Sequence, residues 1–404
     1  MLRTRLFVTI LAAALVASAC AGAATPAEEA QPSTAAAQVP SPTPPPQVSG
    51  DEPASERTIF AGVNIAIHDV DLADIVFDTF DGGQVALPDA SEELVGSLLN
   101  AIRPLDAPNY VDAGEASYLS PDDLVLGYVA DDGSAWAHPH RVMNFHEIVN
   151  TTLGDRPVVV TYCPLCGSGV VFDRRPNDLR HQGVLTFDNT SALFENDMVM
   201  VDEETHTYWW HVAGRGIVGN LTGTELLSLP STTTTWATWV ETHPDTKVLG
   251  DDQGRGPAYE FDPFVDYSTR VDEGNFRFPL GPDAQSDDRL SLATRVIGFE
   301  VDGEQVAVPV LVNEPAVVAV DGAEPVVVFL DGVGGGSVFR SDGVFLASGD
   351  GFVDADGLMW DLAGRASDGS VLEPVASRTA FWFAWVSLTN GDTRVVGPNG
   401  EVTN

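Results

Sequence analysis

The sequence predicts a mainly β protein of the β-rich α+β class, built from two similar antiparallel β units that arise from an internal duplication, with few short helices. Two observations support this prediction. From Thr58 onward, short apolar segments alternate with Asp-Gly, Gly-Gly and Asn-Gly pairs, which are typical turns of antiparallel hairpins. In addition, several patterns recur in the same order in the second half of the chain. A length of 404 residues is sufficient for two such units.

The internal duplication rests on four pairs of matching segments. The pairs, first copy before second, are Leu126–Val129 with Ile297–Glu300, Pro157–Val160 with Pro325–Val328, Trp210–Arg215 with Trp360–Arg365, and Trp236/Trp239 with Trp382/Trp385. Because both copies keep these segments, we interpret them as packing elements. The duplication predicts β repeat 1 at residues 123–250 and β repeat 2 at residues 294–404, joined by an acidic connector at residues 251–293.

The N-terminus has the features of an export signal. Arg3 and Arg5 precede the apolar segment Leu6–Val16, which is too short to cross a bilayer as a helix, and Ala17–Ala19 follows as a small-residue cleavage site. A cysteine directly after such residues resembles a bacterial lipoprotein signal. We therefore predict residues 1–19 as a signal peptide and Cys20 as the lipidated residue, with ordinary secretion and a coincidental cysteine as the alternative.

Residues 20–56 are mostly Ala, Pro, Ser, Thr, Gln and Glu, a composition that cannot bury enough apolar surface to fold. We predict a disordered tether that joins the lipid anchor at Cys20 to the folded part. These features predict an exported protein on the outer face of the cytoplasmic membrane, with the membrane as a partner through Cys20. A net charge of −39 repels phosphate backbones, which argues against nucleic acid as a partner. The sequence does not identify a small-molecule or protein partner.

Two short helices are predicted. Residues 57–122 form an N-terminal extension with one helix, Ser91–Arg103, in which leucines recur on one face and which Pro104 ends. A second helix is predicted over Arg141–Asn150, where it would point His146 toward the interior.

The feature most informative about chemistry is the motif Cys163–Cys166, read Cys-Pro-Leu-Cys, on a tight loop between two valine-rich segments. The second copy has Asp331 and Gly334 at the matching positions, so the scaffold does not require thiols. Cysteines at this spacing form a small disulfide, supply half of a tetrahedral metal site or act as a redox couple. Outside the cytoplasm a structural disulfide is the default. A thioredoxin-type site is disfavoured, because Gly167–Phe172 predicts a turn and a strand where that site needs a helix.

A metal site needs donors beyond the two thiols. His146 is the best candidate, because it is predicted to point inward and precedes the thiols closely. Two thiolates and an imidazole suit copper or zinc, so we predict Cys163, Cys166 and His146 as metal ligands. The alternative for His146 is a core histidine bonded to a backbone carbonyl. The weaker candidates are three later histidines: His206, His211 and His243.

Two side chains are candidates for catalysis, Glu147 as a general base and Ser168 as a nucleophile. A glutamate such as Glu147 is more often a surface residue. Ser168 lies in a Gly-Ser-Gly triplet without the complete nucleophile-elbow pattern, which favours a tight turn. The sequence leaves open whether the protein is an enzyme. One hypothesis is a site that binds a soft transition metal or performs thiol redox chemistry. The other is a non-catalytic ligand- or partner-binding module in which Cys163–Cys166 is a structural disulfide.

Several segments resemble the DUF3179 family, bacterial and archaeal proteins of no established function, many of them exported. The segments are Asn144–Asn150, Thr161–Ser168, Asn196–Asp202, Trp209–Trp210, Gly214, and the Trp236/Trp239 pair before His243–Thr246. The resemblance covers roughly residues 106–396, and its Tyr-Cys-Pro-Leu-Cys core is highly specific.

The resemblance implies which residues belong to the family signature but assigns them no role. The signature residues are His146, Glu147, Cys163 and Cys166. This sequence departs from the family pattern at Asp188–Ala192, where a more glycine-rich segment is expected, and at His211, where a glutamine is more usual.

Overall fold

The computed structural model describes residues 58–310, 313–349, 351–397, 400 and 402–403. The predicted signal peptide, Cys20 and the predicted tether lie outside the described residues. Among the helices in the described ranges, none combines the length and the apolar character that crossing a membrane requires.

The prediction of a mainly β fold with few short helices is confirmed. The strands in chain order are β1 (Ile59–Phe60), β2 (Val63–Asn64), β3 (Ile75–Asp78), β4 (Gln84–Ala86), β5 (Tyr110–Asp112), β6 (Leu124–Val129), β7 (Ala135–Pro139), β8 (Ile148–Leu153), β9 (Arg156–Cys163), β10 (Ser168–Asp173), β11 (Phe187–Phe194), β12 (Asp197–Asp202), β13 (Tyr208–Trp210), β14 (Arg215–Val218), β15 (Ser228–Leu229), β16 (Ser231–Thr235), β17 (Lys247–Leu249), β18 (Arg295–Val301), β19 (Glu304–Pro309), β20 (Ala316–Val320), β21 (Val326–Leu330), β22 (Gly336–Arg340), β23 (Phe345–Ser348), β24 (Gly351–Asp354), β25 (Met359–Trp360), β26 (Glu373–Pro374), β27 (Ser377–Phe381), β28 (Arg394–Val396) and β29 (Val402–Thr403). The α-helices are α1 (Glu92–Leu98), α2 (His140–Met143), α3 (Trp236–Thr242), α4 (Tyr267–Asp272), α5 (Pro282–Ser286) and α6 (Trp382–Thr389), and 3-10 helices occupy Leu72–Asp74, Leu87–Asp89, Ala113–Glu115 and Gly256–Glu260.

Most strands in the described part of the chain belong to three sheets. The first sheet has the order β29-β28-β19-β18-β27-β10-β9-β8, with β15 beside β10, and the second has the order β20-β21-β22-β16-β6-β7-β17-β5, with β26 beside β22. The third sheet has the order β14-β13-β12-β11-β3-β4. Each of the first two sheets contains strands from both predicted repeats, because β10 pairs with β27 and β16 pairs with β22. The two halves of the chain therefore share their sheets.

One local arrangement occurs on both sides of the predicted connector. β6 and β7 form a hairpin, β16 pairs with β6, α3 follows, and β17 runs parallel to β7. The second half of the chain repeats this arrangement. There, β18 and β19 form the hairpin, β27 pairs with β18, α6 follows, and β28 runs parallel to β19. In both arrangements a tryptophan packs on a glycine, since a Cβ on Gly127 or Gly298 would lie 2.2 Å from the ring of Trp239 or Trp385 respectively. The internal duplication itself, like the domain boundaries drawn from it, stays a prediction.

The helix predicted over Ser91–Arg103 is present but shorter. α1 ends at Leu98, and Asn100 has a left-handed backbone with a φ of 58° that does not continue a helix. At the other end, Ser91 caps the helix, because its Oγ accepts a hydrogen bond from the Leu94 N–H at 3.1 Å.

The helix predicted over Arg141–Asn150 is wrong beyond its first turn. α2 ends at Met143, and β8 begins at Ile148. Glu147 lies between them with a φ of 57°, which interrupts helical geometry. The β-branched Ile148 and Val149 then pair with β9, so tertiary strand pairing outweighs the local helical periodicity.

Candidate metal centre

The two predicted thiols lie in the connection between β9 and β10. Cys163 is the last residue of β9 and pairs with Ser168, the first residue of β10, so the predicted turn followed by a strand is confirmed. Gly167 has a φ of +58°, and a Cβ there would lie 2.9 Å from the Phe381 ring, so the turn requires glycine. The Phe381 N–H donates to the Cys166 carbonyl at 2.8 Å, which ties the loop to β27. Both cysteines are buried free thiols.

The third sheet brings Asp197 and His211 to the same place. Glu195 and Asn196 both have positive φ and form the two-residue turn between β11 and β12, so β12 begins at Asp197. His211 directly follows β13, and its backbone N–H donates to the Met198 carbonyl of β12 at 3.0 Å. As a result, one ligand atom from each of the two cysteines, Asp197 and His211 lies within 4.8 Å of all the others, and all four residues are buried.

The hydrogen bonds of His211 determine which ring nitrogen carries the proton. Thr161 Oγ1 donates its only proton to the Val170 carbonyl at 2.9 Å, so it accepts from His211 Nε2 at 2.9 Å. In the neutral ring, Nδ1 therefore carries a lone pair. This lone pair lies 3.0 Å from Asp197 Oδ1 and 3.3 Å from Ser168 Oγ. An imidazole lone pair and a carboxylate oxygen repel each other at this distance. A proton or a metal cation between the two atoms would remove the repulsion.

Asp197 is oriented by both of its oxygens. Oδ2 accepts from the Val212 N–H at 2.7 Å, which leaves Oδ1 for the centre. The Cys166 thiol donates to Oδ1 at 2.7 Å, and Cys166 Sγ also lies 2.9 Å from Ser168 Oγ. A sulfur, a carboxylate oxygen and an imidazole nitrogen therefore converge on one small buried volume.

The surroundings of the thiols disfavour the thiolate form. Burial raises the pKa of Cys163, and it raises the pKa of Cys166 well above its usual range, with the negative charge of Asp197 acting in the same direction. Because the thiolate is the form that attacks disulfides, a raised pKa lowers the fraction of each thiol that can react in this way near pH 7. Metal binding supplies the positive charge that a coordinating thiolate needs.

The structure does not bring His146 into this group of four. Its side chain is buried, as predicted, but Nδ1 bonds to the Arg103 carbonyl at 2.7 Å and Nε2 bonds to the Tyr259 hydroxyl at 2.6 Å. Both ring nitrogens thus have partners outside the centre. In the structure, the imidazole beside the two thiols is that of His211, whereas the sequence predicted His146 there.

The two catalytic candidates both lie near the centre. The carboxylate of Glu147 accepts from Asn189 Nδ2 at 2.9 Å, and burial raises the pKa of Glu147 to about 8, a range suited to acid–base catalysis. Ser168 Oγ contacts Cys166 and His211 but is fully enclosed. The catalytic roles of Glu147 and Ser168 stay predictions.

The matching loop in the second half of the chain has no thiols. There, Asp331 Oδ1 accepts from the N–H groups of Val333, Gly334 and Gly335 at 2.8, 3.1 and 2.9 Å. Its Oδ2 accepts from Thr234 Oγ1 at 2.7 Å. A carboxylate therefore holds this loop through ordinary hydrogen bonds, and the thiols of the first loop are not a requirement of the hairpin.

Sequence reasoning missed Asp197 and placed His211 among the weaker candidates. One signal was available for Asp197. The pair Glu195-Asn196 lies between two apolar segments, which indicates a hairpin turn, and Asp197 would then be the first residue of the second strand. For His211 the signal was its departure from the pattern that the family resemblance implies, in which a glutamine is expected at this position. Neither signal indicates that the two residues lie beside the thiols.

Comparison with known proteins agrees with the family resemblance. A family model described as a protein of unknown function (DUF3179) matches residues 100–392, a range that includes all four residues of the centre. The searches of curated proteins and of solved structures gave no match. The chain therefore belongs to the DUF3179 family.

Proposed function

We propose that this protein binds a zinc ion in a closed centre formed by Cys163, Cys166, Asp197 and His211. The observation that carries the proposal is the convergence of four ligand atoms within 4.8 Å of one another. Zinc bonds of about 2.0–2.3 Å in a tetrahedral site hold the ligand atoms about 3.5 Å apart. Small side-chain adjustments around the ion are therefore sufficient.

The donor set favours zinc over copper. Copper(I) selects soft thiolate and thioether ligands, whereas zinc accepts thiolate, imidazole and carboxylate in one site. The outer hydrogen bonds also suit a metal centre. The bond from His211 Nε2 to Thr161 orients the imidazole, and the bond from the Val212 N–H orients the Asp197 carboxylate.

The burial of the ligands supports a structural role for the ion. Cys163, Cys166, Asp197 and His211 are 2%, 0%, 1% and 0% exposed. A zinc site with four protein ligands and no open position is typical of structural centres. In this protein the ion would join the β9–β10 connection of the first sheet to β12 and β13 of the third sheet. Its binding free energy would then contribute to folding.

Metal analysis of the purified full-length chain, loaded with zinc under reducing conditions, tests this proposal. We expect one zinc ion per wild-type chain, because the four ligands form a single site. We expect no bound zinc in Cys166→Ser, and a loss of at least about 10-fold in zinc affinity in His211→Gln. The matched control is His146→Gln, which replaces a buried histidine whose partners lie outside the centre and should retain zinc.

Three outcomes would contradict the proposed centre. Zinc loss in His146→Gln with retention in His211→Gln would assign the imidazole ligand to His146. Absence of zinc from the wild type, with both thiols free to react, would overturn the metal centre. A stable Cys163–Cys166 disulfide in a metal-free chain that still binds a ligand would support the alternative, a binding module braced by a disulfide.

We also propose that the chain is exported and anchored by a lipid on Cys20. The sequence alone supports this proposal, through Arg3 and Arg5, the apolar segment Leu6–Val16 and the position of Cys20 after small residues. In bacteria grown with radioactive palmitate, we expect label on the wild-type chain in the membrane fraction and none on Cys20→Ser. Cys163→Ser is the matched control and should keep its label. A wild-type chain without label would contradict the anchor.

A further inference from the structure

A cavity of roughly 340 Å³ is lined by the starts of β6 and β18, by α2, by the end of β9 and by parts of the segment 259–268. None of its lining residues is a ligand of the zinc centre. The volume is in the range of small-molecule sites. We propose that this cavity is a second ligand site, which binds a small aromatic monocarboxylate through the guanidinium group of Arg295.

Arg295 has one edge of its guanidinium group without a partner. Nη1 donates to the Gly334 carbonyl at 3.2 Å, which holds the group in place. Nε and Nη2 share another edge. Neither has a hydrogen-bond or ion-pair partner among the described residues, and both keep accessible surface. Because the N–H groups on this edge point the same way, they can donate two parallel hydrogen bonds to one carboxylate.

The corresponding edge of another arginine in this chain binds a carboxylate in this way. Arg175 donates from Nε to Asp173 Oδ1 at 2.9 Å and from Nη2 to Asp173 Oδ2 at 2.5 Å. At Arg295 no carboxylate of the described chain takes that position. The carboxylate of a ligand would complete the same pair of hydrogen bonds.

The strand does not need an arginine at this position. Arg295 is the first residue of β18, and the matching first residue of β6 is Leu124. Leu124 lines the same cavity. Both hairpins therefore form with different residues at this place, and the unpartnered guanidinium edge is a property of the cavity.

The charges around Arg295 favour a ligand with a single negative charge. The other arginine of the cavity wall is Arg141, whose Nε lies 3.2 Å from Asp123 Oδ2. Burial, with the charge of Arg295 adding to it, lowers the pKa of His140 to about 3, so this ring is neutral near pH 7. Three further carboxylates among the lining residues are exposed and would repel a second negative charge: Asp122, Glu260 and Asp262.

The rest of the wall suits an aromatic body. The Tyr162 hydroxyl has no hydrogen-bond partner among the described residues and keeps accessible surface, so the cavity holds a second donor. The Tyr162 ring stacks on His140 with the ring centroids 4.0 Å apart. Further rings line the cavity, from Phe264, Tyr267 and Phe381. Aromatic rings of a ligand pack well against such side chains.

Calorimetric titration of the zinc-loaded full-length protein with phenylacetate tests the inference. The matched ligand is phenylacetamide, which keeps the ring and the shape but replaces the charged carboxylate with a neutral amide. We expect 1:1 binding of phenylacetate and binding of the amide that is weaker by at least about 10-fold. In Arg295→Leu, which places the residue of β6 at the start of β18, the preference for phenylacetate should disappear.

The matched control is Arg103→Leu, which removes one positive charge from an exposed side chain outside the cavity wall and should bind both ligands like the wild type. If Arg295→Leu does not fold, Arg295→Lys replaces it, because lysine keeps the charge but lacks the paired N–H groups. The preference for phenylacetate should be smaller in that variant than in the wild type.

The inference is wrong if phenylacetate does not bind to the wild type or if the two ligands bind equally well. It is also wrong if the full preference persists in a folded Arg295 variant. Metal analysis of the same samples separates this site from the zinc centre, since Arg295→Leu should lose the preference and keep one zinc ion.

Discussion

Replacing Gly335 with alanine is expected to lower the free energy of unfolding by at least about 3 kcal/mol. Gly335 immediately precedes β22, and a Cβ at this position would lie 1.6 Å from the Thr233 carbonyl oxygen of β16. Because the contact is with backbone, it can be relieved only by moving β16 and β22 apart. These two strands join the two halves of the chain in the second sheet. Denaturant unfolding followed by tryptophan fluorescence measures the loss.

Gly96→Ala is the matched control for this substitution. Gly96 lies inside α1, and a Cβ there meets no atom within 4 Å. We expect this variant to be more stable than the wild type by about 0.5–1 kcal/mol, because alanine loses less conformational freedom in a helix. If Gly335→Ala unfolded at the same denaturant concentration as the wild type, the close approach of β16 to the turn before β22 would be contradicted.

Replacing Glu147 with glutamine is expected to remove a large pH dependence of stability. Burial raises the pKa of Glu147 in the folded chain to about 8, from an ordinary value of 4.5. Between pH 4.5 and about pH 8, the folded chain keeps a proton on Glu147 that the unfolded chain has lost. The free energy of unfolding is therefore highest below pH 4.5 and falls as the pH rises to about 8. The total loss is on the order of 5 kcal/mol. Glutamine cannot ionise and keeps an oxygen for Asn189 Nδ2, so the variant should exceed the wild type by this amount at pH 9 and resemble it near pH 4.

The control for the second prediction is Glu241→Gln, at an exposed position of α3. Its unfolding free energy should stay within about 0.5 kcal/mol of the wild type at both pH values. All proteins are compared with a metal chelator present, so that zinc binding does not add its own pH dependence. If the free energy of unfolding changed with pH in the same way in the wild type and in Glu147→Gln, the Glu147 carboxyl would not be buried in a neutral form.

The β class was predictable because it depends on local chemistry. Turn pairs such as Asp302-Gly303 favour the backbone geometry of hairpins, and β18 and β19 meet at that turn. The turn and strand after Cys166 were predictable for the same reason, since Gly167 and the β-branched Val170 and Val171 prefer these conformations. Each of these predictions needs only a few neighbouring residues.

The helix predicted through Asn150 failed because its outcome depends on distant residues. Ile148 and Val149 have apolar spacing compatible with a helix, but β8 pairs with β9 and is held there by Thr161 and Val160. Local periodicity does not reveal this pairing. The same limit explains His146, whose burial was predicted correctly while its partners, the Arg103 carbonyl and the Tyr259 hydroxyl, come from segments far away in sequence.

The sequence by itself determined the mainly β class, the family and the thiol pair at Cys163 and Cys166 as the centre of interest, because these follow from residue types at short spacing. Only the tertiary structure decided which side chains accompany the thiols. Asp197 and His211 reach them because the β11–β12 turn and the β12–β13 pairing align one sheet against the loop of another. That alignment depends on strand register and sheet packing across the whole chain, which no local pattern of residues specifies.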